Sequence, residues 1–495
     1  MTYVANGVDR TSTGPRLRRA LTLRDLVVYG VIVVSVTAPM PVYGLLTQRG
    51  HGHAALAVSI ALFAMLPTAV SYGRMASIYP QAGSAFAYVG CELGPLLGYI
   101  AGWGMIMDYL LNPMICFIWA SQQAHVFFPA IPSWLWVVIF AVGATAVTAQ
   151  GIKESARTNM ILAGLTAGVV LLFLGAVVHY LVSHPTSDPH LYTRPFYDPS
   201  TWNITAIASS TSLAMLTYIG FDGISTLAEE SYHPRRDVPR ATVLTCLIIG
   251  VLSILQVYGA QLVWPSTESF PNVDIAITYA AQRAWEPLFV IVGATMCVAL
   301  LATAIADQLA VARLLYSMGR CGVLPRGFFG AIDAGSQVPR NNVILVGVVV
   351  LGGAMLLPWI SGNMTGFELG GSLVNFGALT AFMGVNAAAF VRFRLRGAGG
   401  RRPSDTLVPV VGFIVCLVLW WNLGFRALVF GVGWMFAGLT YAFWRTQGFR
   451  EGLGNILADR LHPKDGLSRP YQTAGTSSQP VLPKDGSEKH PVPEN

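Results

Sequence analysis

The stretch TYIGFDGISTLAEESYHPRRDVPRA, from Thr217 to Ala241, places one carboxylate between two glycines at the end of an apolar segment. Glycine costs about 1 kcal/mol relative to alanine inside a helix, and it lets a backbone or a ligand come close. A carboxylate there is expensive and needs a partner or a functional role. Two interpretations of Gly220, Asp222 and Gly223 follow. They form a glycine-rich contact in which Asp222 pairs with a neighbouring helix, or they break a transmembrane helix that lines a binding site.

The composition favours a membrane protein. The chain has 495 residues, of which 54% are hydrophobic and 11% charged, whereas soluble proteins carry about 25% charged residues. No Walker sequence, GxSxG motif or zinc-ligand spacing occurs, and the six cysteines stand singly. We therefore expect neither an enzyme nor a metal site or cofactor, and no nucleic-acid partner, because the basic residues lie in loops. Residues 1–20 contain no apolar region typical of a removable signal peptide.

Apolar runs of roughly 17 to 25 residues predict an all-α membrane protein with twelve transmembrane helices. These spans are 24–47, 54–73, 96–124, 133–150, 158–182, 203–228, 240–264, 286–316, 342–359, 368–391, 406–422 and 424–444. Residues 1–23 are predicted to form a cytoplasmic tail and residues 24–445 the transmembrane domain. Residues 446–495 are rich in Pro, Ser, Gly and Lys and are predicted to form a disordered cytoplasmic tail.

The basic residues predict the orientation. With both termini in the cytoplasm, almost every short cytoplasmic loop carries arginine or lysine, as the positive-inside rule requires. Only four arginines fall on the outside: Arg49, Arg194, Arg283 and Arg426. The histidines of the external loops, among them His51 and His53, are predicted to be solvated loop residues rather than metal ligands.

Span 1 contains Pro39 and Pro41, which lack the N–H groups that a helix would use to satisfy the carbonyls of Ser35 and Thr37. The pair predicts either a simple kink or a helix opened near the middle of the membrane. The second interpretation gains support because the break lies five spans before the Gly-Phe-Asp-Gly sequence of span 6. Two interrupted helices at matching places indicate a transporter with a five-plus-five inverted repeat and broken helices 1 and 6.

Two further carboxylates lie within predicted spans. Asp108 lies roughly 16 Å into span 3, close to mid-bilayer, with Asn112 one turn further on the same face. Asp307 lies in the inner half of span 8. A carboxylate within the membrane is a functional candidate. The alternatives are a structural hydrogen bond for Asp108, and packing or reaching toward the interface for Asp307.

The sequence resembles the amino acid–polyamine–organocation (APC) permeases. The Thr217–Ala241 stretch is similar to their sixth helix and following loop, and YGRMASIYPQAGSAFAYV (72–89) to their loop after helix 2. Three further segments resemble the putrescine-importer branch: MDYLLNPMI (107–115), ARLLYSMGRCGVLP (312–325) and LVNFGALTAFMGVN (373–386). The resemblance implies a LeuT-like fold, import of an amino acid or amine, and proton coupling.

The resemblance also implies a substrate site between the opened segments of spans 1 and 6, faced by span 3. The candidate residues are Ser35, Thr37, Ala38, Met40, Asp108, Asn112, Tyr218, Gly220, Phe221 and Asp222. Many family members have a Gly-Ser-Gly type break in span 1 whose N–H groups bind a carboxylate. Here the break is Thr37-Ala38-Pro39-Met40-Pro41 and has lost two donors, which favours a cationic amine. In proton-coupled relatives a lysine of span 5 stands in for a sodium ion, but span 5 here contains no lysine, which leaves the coupling residue open. Asp307, as an ionisable residue within span 8, is a candidate for that role.

We therefore expect a secondary active transporter of the plasma membrane that imports a putrescine-like amine, coupled to protons, by alternating access. A neutral amino-acid permease of the same family is the alternative within this class. A membrane sensor that binds without transport is the alternative from another class.

Overall fold

The structure is a computed structural model. It describes residues 21–79, 84–151, 156–186, 188–265, 268–320, 325–333, 338–397 and 402–445. The predicted tails therefore lie outside the described residues, apart from the last few residues before span 1. Within the described ranges the protein is helical, and its one β-type pairing is an isolated bridge between Leu21 and Ser231.

Sixteen α-helices, numbered in chain order, are present in the described residues. They are α1 (Leu23–Val34), α2 (Tyr43–Arg49), α3 (Ala54–Ile78), α4 (Ser84–Leu93), α5 (Pro95–Phe127), α6 (Ser133–Ala149), α7 (Ala156–Ser183), α8 (Ile204–Ala214), α9 (Pro234–Val263), α10 (Ala276–Ala284), α11 (Leu288–Arg320), α12 (Arg326–Phe329), α13 (Arg340–Ile360), α14 (Gly366–Phe390), α15 (Ser404–Trp421) and α16 (Phe425–Arg445). Two 3-10 segments, Met215–Thr217 and Phe221–Glu230, follow α8, and a π-helical turn, Val391–Leu395, follows α14.

Ten helical segments of the described chain are long and apolar enough to cross a membrane. The apolar helix Ser133–Ala149 is shorter, and the predicted span 1 is divided between α1 and α2. The protein is thus a multi-pass membrane protein, while the count of twelve spans and the inverted repeat stay predictions. The predicted split of the last apolar region is confirmed, because α15 ends at Trp421 and α16 begins at Phe425.

The first predicted break is present. Helix α1 ends at Val34, and Ser35 adopts a positive φ of 72°, which a side chain rarely tolerates. The chain then passes through turns that contain Pro39 and Pro41 before α2 begins at Tyr43. Proline cannot supply the helical N–H at either position, so the helix stops and restarts.

The second predicted break is also present. Helix α8 ends at Ala214, and the 3-10 segment Phe221–Glu230 begins after Gly220, whose φ of +107° favours glycine. A Cβ added at Gly220 would lie 3.5 Å from Cα of Val34, and one added at Gly223 would lie 3.6 Å from the side chain of Val33. The two breaks therefore lie side by side.

Helices α5 and α14 pack backbone to backbone beside the breaks. A Cβ at Gly377 would lie 2.3 Å from the carbonyl oxygen of Gly104, and a Cβ at Gly104 would lie 2.9 Å from that of Gly377. Neither position has room for a side chain. This contact fixes the face of α5 that carries Asp108, one turn further on.

Ion pairs join helix ends on both sides of the bundle. Arg49 at the end of α2 pairs with Glu368 at the start of α14. At the opposite ends, Glu92 of α4 accepts hydrogen bonds from Tyr79 and Arg396, and Arg392 lies within ion-pair distance of it. A second pair there joins Arg74 to Asp405.

Two local expectations were wrong. Residues 72–89 were expected to form a cytoplasmic loop and an interfacial helix, but Tyr72–Ile78 continue α3, and a helix, α4, begins at Ser84. Residues 80–83 lie outside the described residues. His53 is fully buried rather than solvated. Its Nδ1 is 2.9 Å from the carbonyl oxygen of Gly50, and its Nε2 accepts the backbone N–H of Asp198 at 3.1 Å. His53 therefore anchors the loop before α8 to the start of α3.

Candidate functional site

Three carboxylates are linked electrostatically through Asp108 of α5. Asp108 of α5 is buried and interacts electrostatically with Asp222 of the second break and with Asp307 of α11. Neither Asp108 nor Asp222 forms an ion pair with a basic side chain in the described part of the chain. We call Asp108, Asp222 and Asp307 the acidic cluster.

Asn112 connects α5 to α11. Its side-chain amide donates a hydrogen bond to Oδ2 of Asp307 at 2.7 Å. Asp108 and Asn112 are four residues apart on one helical face, as expected from the sequence, and both interact with Asp307 across the helix interface. The structure therefore brings the substrate candidate Asp108 and the coupling candidate Asp307 together.

Asp222 lies in the first turn of the 3-10 segment Phe221–Glu230 and is 3% exposed. Its carboxylate interacts with the backbone of Gly220 and Gly223, which partly compensates its charge at the positive end of that segment. Its Oδ2 atom has no hydrogen-bond partner among the described residues. Asp222 is therefore a half-satisfied acceptor at the break, and it does not form the paired helix–helix contact of the first interpretation.

The backbone of the first break satisfies much of its own hydrogen bonding. The carbonyls of Ser35 and Thr37, expected to be free, accept the N–H groups of Ala38 at 3.2 Å and Met40 at 3.0 Å in tight turns. The hydroxyls of Ser35 and Thr37 lie 2.9 Å apart, and the Ser35 hydroxyl also accepts the Thr37 N–H at 3.4 Å. A carbonyl oxygen has two lone pairs, so each can accept a second donor.

Tyr218 and Phe221 have packing contacts. The Tyr218 hydroxyl donates to the carbonyl oxygen of Val58 on α3 at 2.9 Å. Phe221 packs against the rings of Tyr72 and Phe382, at centroid distances of 5.8 and 5.2 Å. Both side chains therefore fix the second break against α3 and α14.

The structure adds residues that the sequence did not single out. Tyr109 and Tyr29 both interact electrostatically with Asp222, and Tyr109 also with Asp108 and Asp307. Gln256 of α9 donates to the carbonyl of Val36 in the first break at 2.9 Å. Tyr109 directly follows Asp108 in the sequence, and Tyr29 lies within span 1. Nothing in the sequence marks Gln256 except that it is a polar residue in an apolar run.

Three carboxylates with tyrosine hydroxyls nearby can bind a cation. The burial of Asp108 and Asp222 strengthens the attraction, because the effective dielectric constant is lower than in water. The described residues contain no group of three or more His, Cys, Asp and Glu side chains arranged to hold a metal ion.

The comparisons with known proteins agree with this helical architecture. The model of the family described as amino acid permease matches residues 33–445. The chain belongs to the amino acid permease family. The permease is 32% identical to the low-affinity putrescine importer PlaP of Escherichia coli (strain K12), over 90% of this chain and 98% of that one.

Other relatives carry different substrates. The permease is 25% identical to the branched-chain amino acid permease BcaP of Bacillus subtilis (strain 168), over 88% of this chain and 95% of the relative. It is likewise 25% identical to the methylthioribose transporter of the same organism, over 88% of this chain and 93% of the relative. The predicted family membership and the prediction that the chain is not an enzyme are confirmed, because these relatives are transporters. The names do not select one substrate.

Proposed function

We propose that the permease imports a putrescine-like cationic amine across the plasma membrane, coupled to protons, by alternating access. The site is the acidic cluster together with the backbone of the two breaks: Ser35, Thr37, Ala38, Met40, Asp108, Asn112, Tyr218, Gly220, Phe221 and Asp222. Asp307 is the proposed coupling residue. The observation that carries the proposal is the acidic cluster, in which Asp108 and Asp222 lack a basic partner among the described residues.

A buried unpaired carboxylate must take up a proton or meet a cation. Two buried acidic positions that interact electrostatically suit a diamine, because each ammonium group can pair with one carboxylate. The small number of free N–H groups in the first break favours the same substrate. Those of Thr37, Ala38 and Met40 are engaged within the break, and the prolines have none, so few donors remain for a substrate carboxylate.

A neutral amino-acid permease is the second candidate, and the similarity to a branched-chain amino acid permease favours it. A zwitterion would bring its ammonium to the acidic cluster, but it would place its carboxylate where donors are scarce. A membrane sensor is the third candidate. Two adjoining broken helices favour transport over sensing, because a receptor needs only one stable pocket.

In this proposal the chain crosses the membrane twelve times, and the first ten spans form the five-plus-five inverted repeat. Helices α1 and α2 are the two halves of span 1, and both termini lie in the cytoplasm. Cysteines introduced beside Arg49 or Arg194 should then react with impermeant reagents outside the cell, and those beside Arg236 or Arg396 should not. The reverse labelling pattern would contradict the orientation.

The function is tested by uptake of labelled putrescine, lysine and leucine into proteoliposomes, with and without an inward proton gradient. We expect putrescine to accumulate best, and more strongly with the gradient. Preferred uptake of leucine would replace the amine proposal with the amino-acid permease, and binding without uptake of any of the three would favour the sensor.

A further inference from the structure

A glutamine outside the two broken helices holds the first break in place. Gln256 lies on α9 and is 1% exposed. Its Nε2 donates to the carbonyl oxygen of Val36 at 2.9 Å and to that of Leu252, one turn earlier on α9, at 3.0 Å. In a continuous helix the Val36 carbonyl would accept the N–H of Met40. That N–H instead bonds to Thr37, so Gln256 replaces the lost donor.

The orientation of the Gln256 amide follows from these contacts. Both neighbours of Nε2 are carbonyl oxygens, which accept only, so the nitrogen must face them. The amide oxygen Oε1 shares a carbon with Nε2 and therefore lies beside the same break. It is buried and has no hydrogen-bond partner among the described residues. Ser253, on the same face of α9, has an unpartnered buried hydroxyl as well.

Gln261 provides a comparison on the same helix. Its Oε1 accepts the N–H of Ala55 at 2.9 Å, and its Nε2 donates to the carbonyl of Gly52 at 2.6 Å. Both ends of this amide are satisfied, and they fix the start of α3. Both amide atoms of Gln261 therefore have hydrogen-bond partners within the protein, whereas only the donor atom of Gln256 has partners among the described residues. Unsatisfied buried acceptors are rare in proteins and indicate a partner or a strained site.

We infer that Gln256 is a substrate-binding and positioning residue: its Nε2 holds the carbonyl of Val36 at the first break, and its Oε1 accepts an N–H of the substrate ammonium. The identity of the ligand rests on the proposed function. A primary ammonium has three N–H donors. One donor for Oε1 leaves two for the acidic cluster and the carbonyls of the break. The residue therefore recognises the N–H donors of the ammonium as well as its charge.

The two ends of the amide can be separated by substitution. Gln256→Leu removes donor and acceptor, whereas Gln256→Glu keeps an acceptor and loses the donor when ionised. Gln261→Leu is the matched control, because it removes a buried glutamine from the same helix without touching the break. If Gln256→Leu is not recovered as folded protein, Gln256→Met, which keeps an unbranched chain without hydrogen-bonding amide atoms, replaces it.

The measurement is equilibrium binding of labelled putrescine, lysine and leucine to each purified variant, followed by uptake in proteoliposomes. We expect Gln256→Leu to raise the Kd of the preferred ligand about tenfold, as for loss of a hydrogen bond to a charged group. Gln256→Glu should keep the Kd within about threefold of wild type and slow uptake, because the Val36 carbonyl loses its donor. Gln261→Leu should lower thermal stability and leave the Kd unchanged.

Two results of the variant comparison, and one result with wild type, would overturn the inference. A Kd of Gln256→Leu within about twofold of wild type would show a purely structural role. Equal weakening by Gln256→Leu and Gln256→Glu would show that the acceptor end does not contact the substrate. If wild type prefers leucine, the amine proposal fails, yet the same comparison tests Gln256 with the leucine ammonium. If wild type binds none of the three ligands, both proposals fail.

Discussion

Replacing Asp108 by asparagine removes a negative charge from the acidic cluster with little change of shape. Asp108 is 4% exposed, so a cation bound to it is desolvated and the pair is not screened as a surface pair would be. Removing one partner of a buried charge pair costs about 3–5 kcal/mol. At 1.4 kcal/mol for each factor of ten, the Kd of a cationic amine rises roughly 150-fold to 4,000-fold. We expect the lower part of this range, because Asp222 and Asp307 still attract the cation.

The assay is competition binding of putrescine, lysine and leucine to purified wild type and Asp108→Asn. Asp198→Asn is the matched control, because Asp198 lies in the loop before α8, where its carboxylate accepts hydrogen bonds from Ser200. The control should bind like wild type. The reasoning is refuted if leucine binds wild type best and Asp108→Asn leaves all three affinities unchanged.

Three further predictions concern other parts of the permease. Gly220→Leu should abolish uptake but not membrane insertion, because the side chain would occupy a position with φ of +107° beside Val34; normal uptake would place the site elsewhere. Asp307→Asn should lower gradient-driven accumulation while substrate exchange survives, and equal loss of both would indicate a binding or folding role instead. Burial raises the pKa of Asp274, in the loop after α9, to about 6. Above that pH the folded protein holds an ionised carboxylate in a buried place, which lowers the free energy of unfolding. The free energy of unfolding should therefore increase as the pH falls from about 6 toward 4. Asp274→Asn should raise the melting temperature at pH 7.5 and have little effect at pH 4, and an equal effect at both pH values would contradict this assignment.

Local sequence rules predicted both breaks. Two prolines with one residue between them cannot continue a helix, and a glycine after Tyr218 and Ile219 supplies the positive φ at which α8 and its extension stop. The register of α5 was predictable too, because helical geometry alone places Asp108 and Asn112 on one face. These features depend on residues within a few positions of one another.

The features that the sequence could not supply depend on distant backbone atoms. The partner of Gln256 is the carbonyl of Val36, 220 residues away, and a carbonyl has no residue identity that a sequence pattern could reveal. The same reason explains the error at His53, whose ring bonds to backbone atoms of Gly50 and Asp198. A histidine in a polar loop is exposed only when no backbone groups from other segments bond to its ring.

Helix α1 and the 3-10 segment Phe221–Glu230 are connected at both of their ends, which bears on how they can move. Near the breaks, a Cβ at Gly220 would lie 3.5 Å from Cα of Val34, so the two segments adjoin there. At the far ends, Leu21, two residues before α1, donates its N–H to the carbonyl of Glu230 at 3.0 Å and accepts the N–H of Tyr232 at 3.0 Å. Backbone hydrogen bonds of this kind do not depend on side chains. We therefore expect α1 and the 3-10 segment to move as one unit during transport.

We expect the surface formed by α5 and α14 to stay fixed during this movement. The backbone contact of Gly104 and Gly377 holds α5 against α14 with no flexible side chain between them. Asp108 belongs to this surface, whereas Asp222 belongs to the broken segment, so relative movement of the two surfaces changes the distance between two buried carboxylates. A bound diamine offsets the repulsion between them. Without it, the like charges oppose closure of the acidic cluster unless one takes up a proton. In the proposed transport cycle we therefore expect the two surfaces to close on each other only after substrate or a proton has bound, which would link binding to movement.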